Sequence, residues 1–254
     1  MANSINTNSG ALVALQNLNQ TNRELATTQN RVNTGKNVSS ARDNGALFAI
    51  ATNQRAEMGA LDSVKQSLQR GQSIVDVALA AGDTIVSALT EMKQLAVAIE
   101  AGGSAETLAA LNADFAALQT EIDNALAGAE FDGENLFLAD VSVITDTKGG
   151  TYSLGGAATT VTPAGATAAD VEASITAFTA TLADIGTKSK SVERMVTFTS
   201  KMQDALETGI GNLVDADLAK ESAKLTALQT KQQLGVQALS IANQSSSVLL
   251  SLFR

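Results

Sequence analysis

From Leu61 a strict 3-4-3-4 walk meets Leu61, Val64, Leu68, Gly71, Val75, Ala78, Gly82, Ile85, Leu89, Met92, Ala96 and Ile99, and no charged residue interrupts these twelve steps. Such a walk is the signature of a long helix that turns one narrow apolar seam toward a partner helix. Gly71 and Gly82 each cost about 1 kcal/mol of helix propensity relative to Ala. They are either sites of close approach or simply tolerated. Ala101-Gly102-Gly103 ends the helix, and Ser104 is suited to cap the next one. That second helix carries Leu108, Leu111, Phe115, Leu118, Ile122, Ala125 and Ala129, so the two are expected to fold back as an antiparallel hairpin. A third seam of similar length runs from Val171 through Ile175, Phe178, Leu182, Ile185, Ser189, Val192, Val196, Thr199, Gln203 and Leu206 to Ile210. Gly209 and Gly211 are expected to interrupt it.

Between the second and third seams the pattern changes. Phe131-Asp132-Gly133-Glu134-Asn135 reads as a turn. Beyond it, Val141, Val143 and the stretch from Thr151 to Val161 mix β-formers with paired glycines. A few short strands and hairpins ending near Pro163 are expected, as a small Thr-rich outer insert.

Both ends of the chain are again helical. The last segment walks Leu218, Glu221, Leu225, Leu228, Gln232, Gly235, Leu239, Ala242, Ser246, Leu249 and Phe253, and a second stripe beside it holds Leu234, Ala238, Ile241, Val248 and Leu252. Its apolar face is broader than one partner helix needs. At the start, Ile5, Leu12, Leu15, Leu18, Leu25 and Val32 recur at helical spacing, with Asn22 and Gln29 filling the other seam positions. Apolar stripes of this size usually mark an interface; the plainer reading is that the two end helices cover only each other.

The expected fold is therefore mainly α: an elongated rod of long antiparallel heptad-patterned helices, with a terminal coiled-coil pair and a small β insert. Its segments are a terminal helix and linker (1–44), rod helices and turn (45–140), the outer insert (141–168), a further rod helix (169–211) and a second terminal helix (212–254). If the insert is the far tip, the chain runs out and back and its ends lie side by side.

Composition supports narrow seams over a broad core. Among 254 residues aromatics make up only 3%, with no Trp, one Tyr and one Pro, whereas broad cores lean on large rings. No His and no Cys occur, which removes the commonest general base and metal ligand as well as thiol nucleophiles, disulfides and thiolate metal sites. No cofactor is expected. A carboxylate enzyme using Asp215, Asp217 and Glu221 stays formally open, but these residues sit where acids cap a helix start and suit its dipole. A net charge of −9 disfavours nucleic acid and anionic membrane as partners. No apolar run is expected to approach the ~18–20 residues of a membrane span. The first residues lack the basic and apolar regions of a signal peptide, as expected of a cytoplasmic protein or of one whose uncleaved N-terminus is read by a dedicated export machine.

Several motifs, in order, resemble one family. The segment Arg31 to Ala46 (Arg-Val-Asn-Thr-Gly-Lys-Asn-Val-Ser-Ser-Ala-Arg-Asp-Asn-Gly-Ala) is similar to the flagellin segment that joins the first helix to the rod. Phe131-Asp-Gly resembles the family's Phe-Asn-Gly turn, and Asn212 to Glu221 resembles its C-terminal Asp-x-Asp motif. Gln237 to Gln244 and the ending Leu249-Leu-Ser-Leu-Phe-Arg are similar to its C-terminus. The likeness covers roughly residues 1–140 and 170–254 and leaves only the insert outside; the wording is similar to short flagellins of alphaproteobacteria. A hook–filament junction protein shares the terminal helices, but the ending and the 31–46 segment favour flagellin.

The resemblance implies a secreted subunit, exported unfolded by the flagellar type III apparatus and polymerised into the extracellular filament. Implied partners are further copies of itself, an export chaperone that masks the last helix, filament cap and junction proteins, and sibling flagellins. The implied polymerisation surface comprises Ile5, Leu12, Leu15, Leu18, Leu25, Val32, Leu225, Leu228, Leu234, Leu239, Ile241, Val248, Leu249, Leu252 and Phe253. Two departures stand out. Ser245 to Ser247 replace a common Pro near the end, so the last helix is expected to be straighter. Relatives that trigger the flagellin-sensing Toll-like receptor carry Leu-x-Arg-Val-Arg-Glu-Leu; the matching segment here, Leu89 to Leu95, has Glu91 and Lys93 at the two Arg positions, with Met92 between them. The zinc peptidase that some flagellins host is ruled out by the lack of His.

Overall fold

The computed structural model describes residues 8–155 and 161–251. Five helices dominate: α1 (Ser9–Thr34), α2 (Gly45–Glu100), α3 (Ala105–Gly128), α4 (Ala168–Val214) and α5 (Leu218–Ser251). Four short strands, β1 (Glu130–Phe131), β2 (Glu134–Asn135), β3 (Ser142–Ile144) and β4 (Thr151–Ser153), form two antiparallel pairs. The fold is mainly α. The chain divides into two compact units, Ala56–Ala205 and Met1–Arg55 with Leu206–Arg254.

In the unit Ala56–Ala205, the walk from Leu61 is the core. Eleven of its twelve positions are buried and Ile99 is partly so. Facing it are Phe115 and Ile122 of α3 and Val171, Phe178, Ile185 and Val192 of α4, in one continuous cluster. One 18-residue window of α2 reaches a mean hydropathy of 1.4, although no apolar run in it is uninterrupted. Its apolar residues include those of the packed seam. Pairings at 62 with 203 and at 100 with 168 set α4 antiparallel to α2: Gln203 Nε2 donates to Asp62 at 2.7 Å, and the Ala168 amide donates to Glu100 at 2.9 Å.

Both seam glycines mark close approaches. A Cβ on Gly82 would lie 2.3 Å from Leu182 Cδ2 of α4, and one on Gly71 would lie 2.3 Å from Val143 Cγ1 of β3. So the β3–β4 hairpin lies against the flank of α2, where the Ser67 hydroxyl also accepts the Ile144 amide at 3.0 Å. This places the insert beside α2 and away from the unit's far end. That end is formed by the Ala101–Ser104 turn together with the start of α4. The expectation of the insert as a far tip is thereby corrected: Val143 and Leu154 are buried in the unit's common core, against α2 where Gly71 has no side chain.

Local signals explain most boundaries. Ser104 caps α3 by accepting the Thr107 amide at 3.2 Å. Thr167 caps α4 by accepting the Asp170 amide at 3.1 Å, and its hydroxyl donates to the Asp170 carboxylate at 2.6 Å. Asp132 and Gly133 both have positive φ (54° and 80°), as a two-residue hairpin turn between β1 and β2 requires. Arg70 of α2 pins that turn through Asp132 at 2.6 Å. Just behind it, Asn135 donates to the Leu126 carbonyl at the end of α3 and accepts the Phe137 amide, seating Phe137 against Phe178 with ring centroids 5.7 Å apart. One boundary differs from expectation. Gly209 and Gly211 do not interrupt α4, which continues to Val214. Ile210 and Val214 are buried with Val38 and Ala51, and that burial outweighs the propensity cost of two glycines.

Candidate polymerisation surface

The unit that holds both ends of the chain is built from α1, α5 and the neighbouring ends of α2 and α4. At its centre the segment after α1 docks beside the segment after α4. Gly35 ends α1 in the left-handed conformation (φ 68°), a geometry suited to Gly. Its carbonyl accepts the Ala216 amide at 2.9 Å, while the Asn37 and Val38 amides donate to the Val214 carbonyl. Lys36 and Asp215 form an isolated antiparallel bridge. Arg31, in the last turn of α1, pairs with Glu221 in the first turn of α5 at 3.3 Å, each at the helix end its charge favours. Asp217 caps α5 by accepting the Ala219 and Lys220 amides at 3.0 and 3.1 Å. Of the three acids considered for chemistry, Asp217 caps a helix and Glu221 is in an ion pair through their carboxylates, and Asp215 enters the joint through its backbone bridge.

Ser39 and Ser40 each donate a backbone amide and a hydroxyl to the Asp43 carboxylate at 2.9–3.1 Å. The Ser39 hydroxyl, followed by the two amides, holds the Asp43 carboxyl below its ordinary value. Asn44 then caps α2 through the Ala46 and Leu47 amides. The two motifs that resemble the family, 31–46 and 212–221, are therefore one joint.

From this joint α1 and α5 run antiparallel as a pair. The Asn8 amide reaches the Ala242 carbonyl at 2.7 Å, Leu18 lies over Gly235, and Gln232 Nε2 donates to Asn22 at 2.8 Å. The inner positions of α1 are Ala11, Ala14, Leu18, Thr21, Leu25, Thr28 and Val32. Asn22 and Gln29, expected in the seam, are exposed, and Thr21 and Thr28 are buried in their place. Both 3-4 walks share Leu18, Leu25 and Val32, so the pattern alone cannot choose between them. Thr wins physically because its hydroxyl can bond back to the helix, as Thr21 does to the Asn17 carbonyl at 2.9 Å, leaving a methyl to pack. A side-chain amide can reach back too, as Asn112 does to the Leu108 carbonyl, but it leaves no methyl for the seam.

The seam divides the expected surface residues. Leu18, Leu25, Val32, Leu225 and Leu239 are half-buried and Leu228 is buried. Outward stand Leu12 (58% exposed), Leu15 (44%), Leu234 (60%) and Ile241 (68%). Leu218, first of the seam walk along the last helix, is exposed, as are Val13 and Val236, which lie on neither stripe. A groove of about 410 Å³ between the helices is lined by Ala14, Leu18, Leu234, Gly235 and Ala238, among others. Ile5, Leu252 and Phe253 lie outside the described residues, as do the side chains of Val248 and Leu249; α5 runs as one helix through Ser245 to Ser247.

In the segment compared with the receptor motif, Leu89 and Met92 are fully buried in the core, Leu95 is half-buried and Glu91 is exposed. Lys93 forms an ion pair with Glu172 of α4.

A helical chain whose end helices cover one seam between them, and leave apolar side chains open on both flanks, has the build of a self-assembling structural subunit. Comparison with known proteins gives that class its name. The family model described as bacterial flagellin N-terminal helical region matches residues 5–141, and that described as bacterial flagellin C-terminal helical region matches residues 168–253. Flagellin FljM of Caulobacter vibrioides is 52% identical over 99% of each chain, and flagellin FljK of the same organism is 50% identical over 99% of each. A flagellin of Brucella melitensis is 35% identical, again over 99% of each. The chain belongs to the bacterial flagellin family. Its role is that of a structural subunit of the flagellar filament, and the family is not enzymatic.

Proposed function

We propose that copies of this chain join through the outward faces of α1 and α5, and that the α1–α5 pair is the unit laid down in the core of the filament. The observation that carries this reading is the exposure of Leu12, Leu15, Leu234 and Ile241 on a helix pair whose own seam is already closed. Leaving such side chains in water forgoes about 1.5–3 kcal/mol each, and a neighbouring subunit recovers it. Leu18, Leu25, Val32, Leu225, Leu228 and Leu239 hold the pair together, and Ile5, Val248, Leu249, Leu252 and Phe253 are assigned to the contact between copies by the sequence pattern alone.

Secretion through the flagellar type III apparatus fits a chain free of Cys, because it can pass a narrow channel unfolded without forming disulfides. Before assembly the α5 face needs a cover, and an export chaperone would supply it; cap and junction proteins would meet the same surface at the filament's ends.

Asp at Leu234 or Ile241 tests the core contact. A carboxylate buried without a partner costs several kcal/mol, and every subunit in the lattice repeats it. Seeded polymerisation followed by negative-stain microscopy should give no filaments, with the monomer's helical circular dichroism unchanged. Filaments of normal length from both variants would sink the reading.

The receptor-like segment is proposed to be a weak agonist surface. Lys93 is engaged by Glu172, Glu91 presents an acid where activating relatives offer Arg, and Lys cannot copy a planar bidentate guanidinium. In receptor reporter cells Glu91→Arg with Lys93→Arg should raise potency. An unchanged dose–response would place the determinant elsewhere.

A further inference from the structure

Asn44-Gly45 is the one Asn-Gly step in the chain, and it stands where the chain leaves the joint and enters α2. An Asn followed by Gly can react with itself, the backbone nitrogen of the second residue attacking the side-chain amide of the first. Glycine has no Cβ to hinder the backbone rotation that brings the two atoms together. Folded proteins block this reaction by burying or engaging the groups involved. At Asn44 they are left open.

The attacking nitrogen is available. Gly45 is the first residue of α2, where an N–H has no acceptor within the helix. Its amide has no hydrogen-bond partner among the described residues. Both residues are exposed, and a Cβ on Gly45 would meet nothing within 4 Å, so the backbone has room to turn. Fraying of an exposed first turn costs little, which lets Cγ of Asn44 swing toward that nitrogen.

The amide under attack is set up for it. Asn44 Oδ1 accepts the Ala46 and Leu47 amides, each at 3.1 Å. Donors so placed stabilise the negative charge that Oδ1 acquires when its carbonyl is attacked, and the positive end of α2 adds to them. The Asp43 carboxylate is occupied with Ser39 and Ser40. The leaving group is untied, because Asn44 Nδ2 has no partner among the described residues. Asn8 supplies the contrast. It caps α1 by accepting the Ala11 amide at 3.1 Å, but its Nδ2 is fixed to the Ala242 carbonyl at 2.7 Å and Ser9 follows it.

We propose that Asn44 is a self-modification site, converted without an enzyme to Asp and isoaspartate as the subunit ages. The Gly45 amide gives its proton to water and its nitrogen bonds to Cγ of Asn44. The carbonyl then re-forms as Nδ2 takes up a proton and leaves as ammonia. Water opens the resulting cyclic imide at either carbonyl, giving Asp or isoaspartate. Asp keeps the cap and adds a charge at the helix end that favours it. Isoaspartate runs the main chain through the side-chain carbon, one atom longer between the joint and α2. The inference does not depend on how copies join.

Ageing the full-length monomer at mildly alkaline pH in water enriched in heavy oxygen tests it, with peptide mapping by mass spectrometry. Position 44 should take up heavy oxygen and appear as a mixture of Asp and isoaspartate, while Asn8 remains an amide. The folded chain should react at least as fast as the chain in denaturant, where the Ala46 and Leu47 donors are lost. Gly45→Ala should slow conversion about tenfold or more, because a β-carbon hinders the approach. Circular dichroism checks that the variant is folded. Faster conversion in denaturant, Asp without isoaspartate, an Asn8 as reactive as Asn44, or no effect of Gly45→Ala overturns the proposal.

Discussion

The two units use the same heptad grammar and put different residues into it. In Ala56–Ala205 the seam is made of large aliphatics: Leu68, Val75, Ile85, Leu89 and Met92 are wholly inaccessible to water. In the α1–α5 pair the inner positions include Ala11, Ala14, Thr21, Thr28, Gln232 and Gly235, and on these helices Leu228 is the one large aliphatic that is buried among the described residues. Leu18, Leu25, Leu225 and Leu239 line that seam half-buried, and Leu12, Leu15, Leu234 and Ile241 stand on the outside. One unit spends its hydrophobic residues on itself. The other keeps them for neighbours.

The largest consequence should be kinetic. Narrow helices without partners are marginal in water, so amide exchange in the free monomer should be fast along 9–34 and 218–244 and slow across Leu61–Ala96. In the filament both should be slow. Local opening energies span the range from near zero to the global stability, so protection factors should differ between units by orders of magnitude. Equal protection in a proven monomer would erase the contrast.

Core truncation sharpens it. Ile85→Ala should cost about 2–5 kcal/mol, because the deleted methyls leave a cavity among fixed neighbours. Denaturant unfolding of the monomer measures this directly. At Ile241, which is 68% exposed, the same change should fall within about 0.5 kcal/mol in the monomer. Any defect there should appear only on assembly. A monomer destabilised equally by both substitutions would show that Ile241 packs internally.

How much of this was legible in the sequence follows from the same contrast. The unit with large seam residues is legible position by position: two 3-4 walks through 61–99 avoid charge, and the one from Leu61 gathers Leu61, Leu68, Val75 and Leu89 where the other has Ser67, Ala81 and Ala88. Along α1 two walks share their leucines, and Thr21 against Asn22 depends on which side α5 approaches. Nothing local to α1 encodes that. Position alone assigns Asp215, Asp217 and Glu221 to capping and the helix dipole; Asp217 does cap α5, whereas Glu221 pairs with Arg31 and Asp215 joins Lys36 through its backbone. Those cross-chain partners do not show in the sequence, because a joint closed across some 180–190 residues leaves no periodic trace. The flank position of β3–β4 was hidden for a related reason: Gly71 reads as a weak helix residue until the hairpin that needs its missing side chain is seen.

Seam glycines separate the units by a smaller margin. Ala at Gly82 would bring its Cβ to 2.3 Å from Leu182 and at Gly71 to 2.3 Å from Val143. Overpacking of that kind costs about 1–3 kcal/mol, offset by about 1 kcal/mol of helix propensity. Ala at Gly235 meets Leu18 at 3.3 Å, tight enough to need a small shift but available to an unpinned leucine tip. Thermal unfolding should therefore fall for Gly71→Ala and Gly82→Ala and stay level or rise for Gly235→Ala. A drop at Gly235 as large as at Gly82 would mean that the terminal pair is as rigidly packed as the α2–α4 seam.

The smallest expected effect compares two acid-stapled turns, one in each unit. Asp43 is held below the ordinary 3.8 by the Ser39 hydroxyl and then by the Ser39 and Ser40 amides, and Asp146 chiefly by the Gly150 and Lys148 amides. A depressed folded value means that each turn is stabilised above pH 3.8 and that the stabilisation is lost as pH falls through the folded value. Both carboxylates are exposed, so the global effect is slight and a local probe is needed. Carboxyl-carbon NMR titration should place both below 3.8. As Asp43 protonates, the Asn37 and Val38 amides, which donate to Val214 across the joint, should exchange faster. Asp43→Asn should make them insensitive to pH over the same range. Protonating Asp146 should instead loosen only the β3–β4 tip, whose Thr145 amide bonds Gly150. An ordinary titration of Asp43, or amides at 37 and 38 that ignore it, would show that the serine staple does not hold the joint.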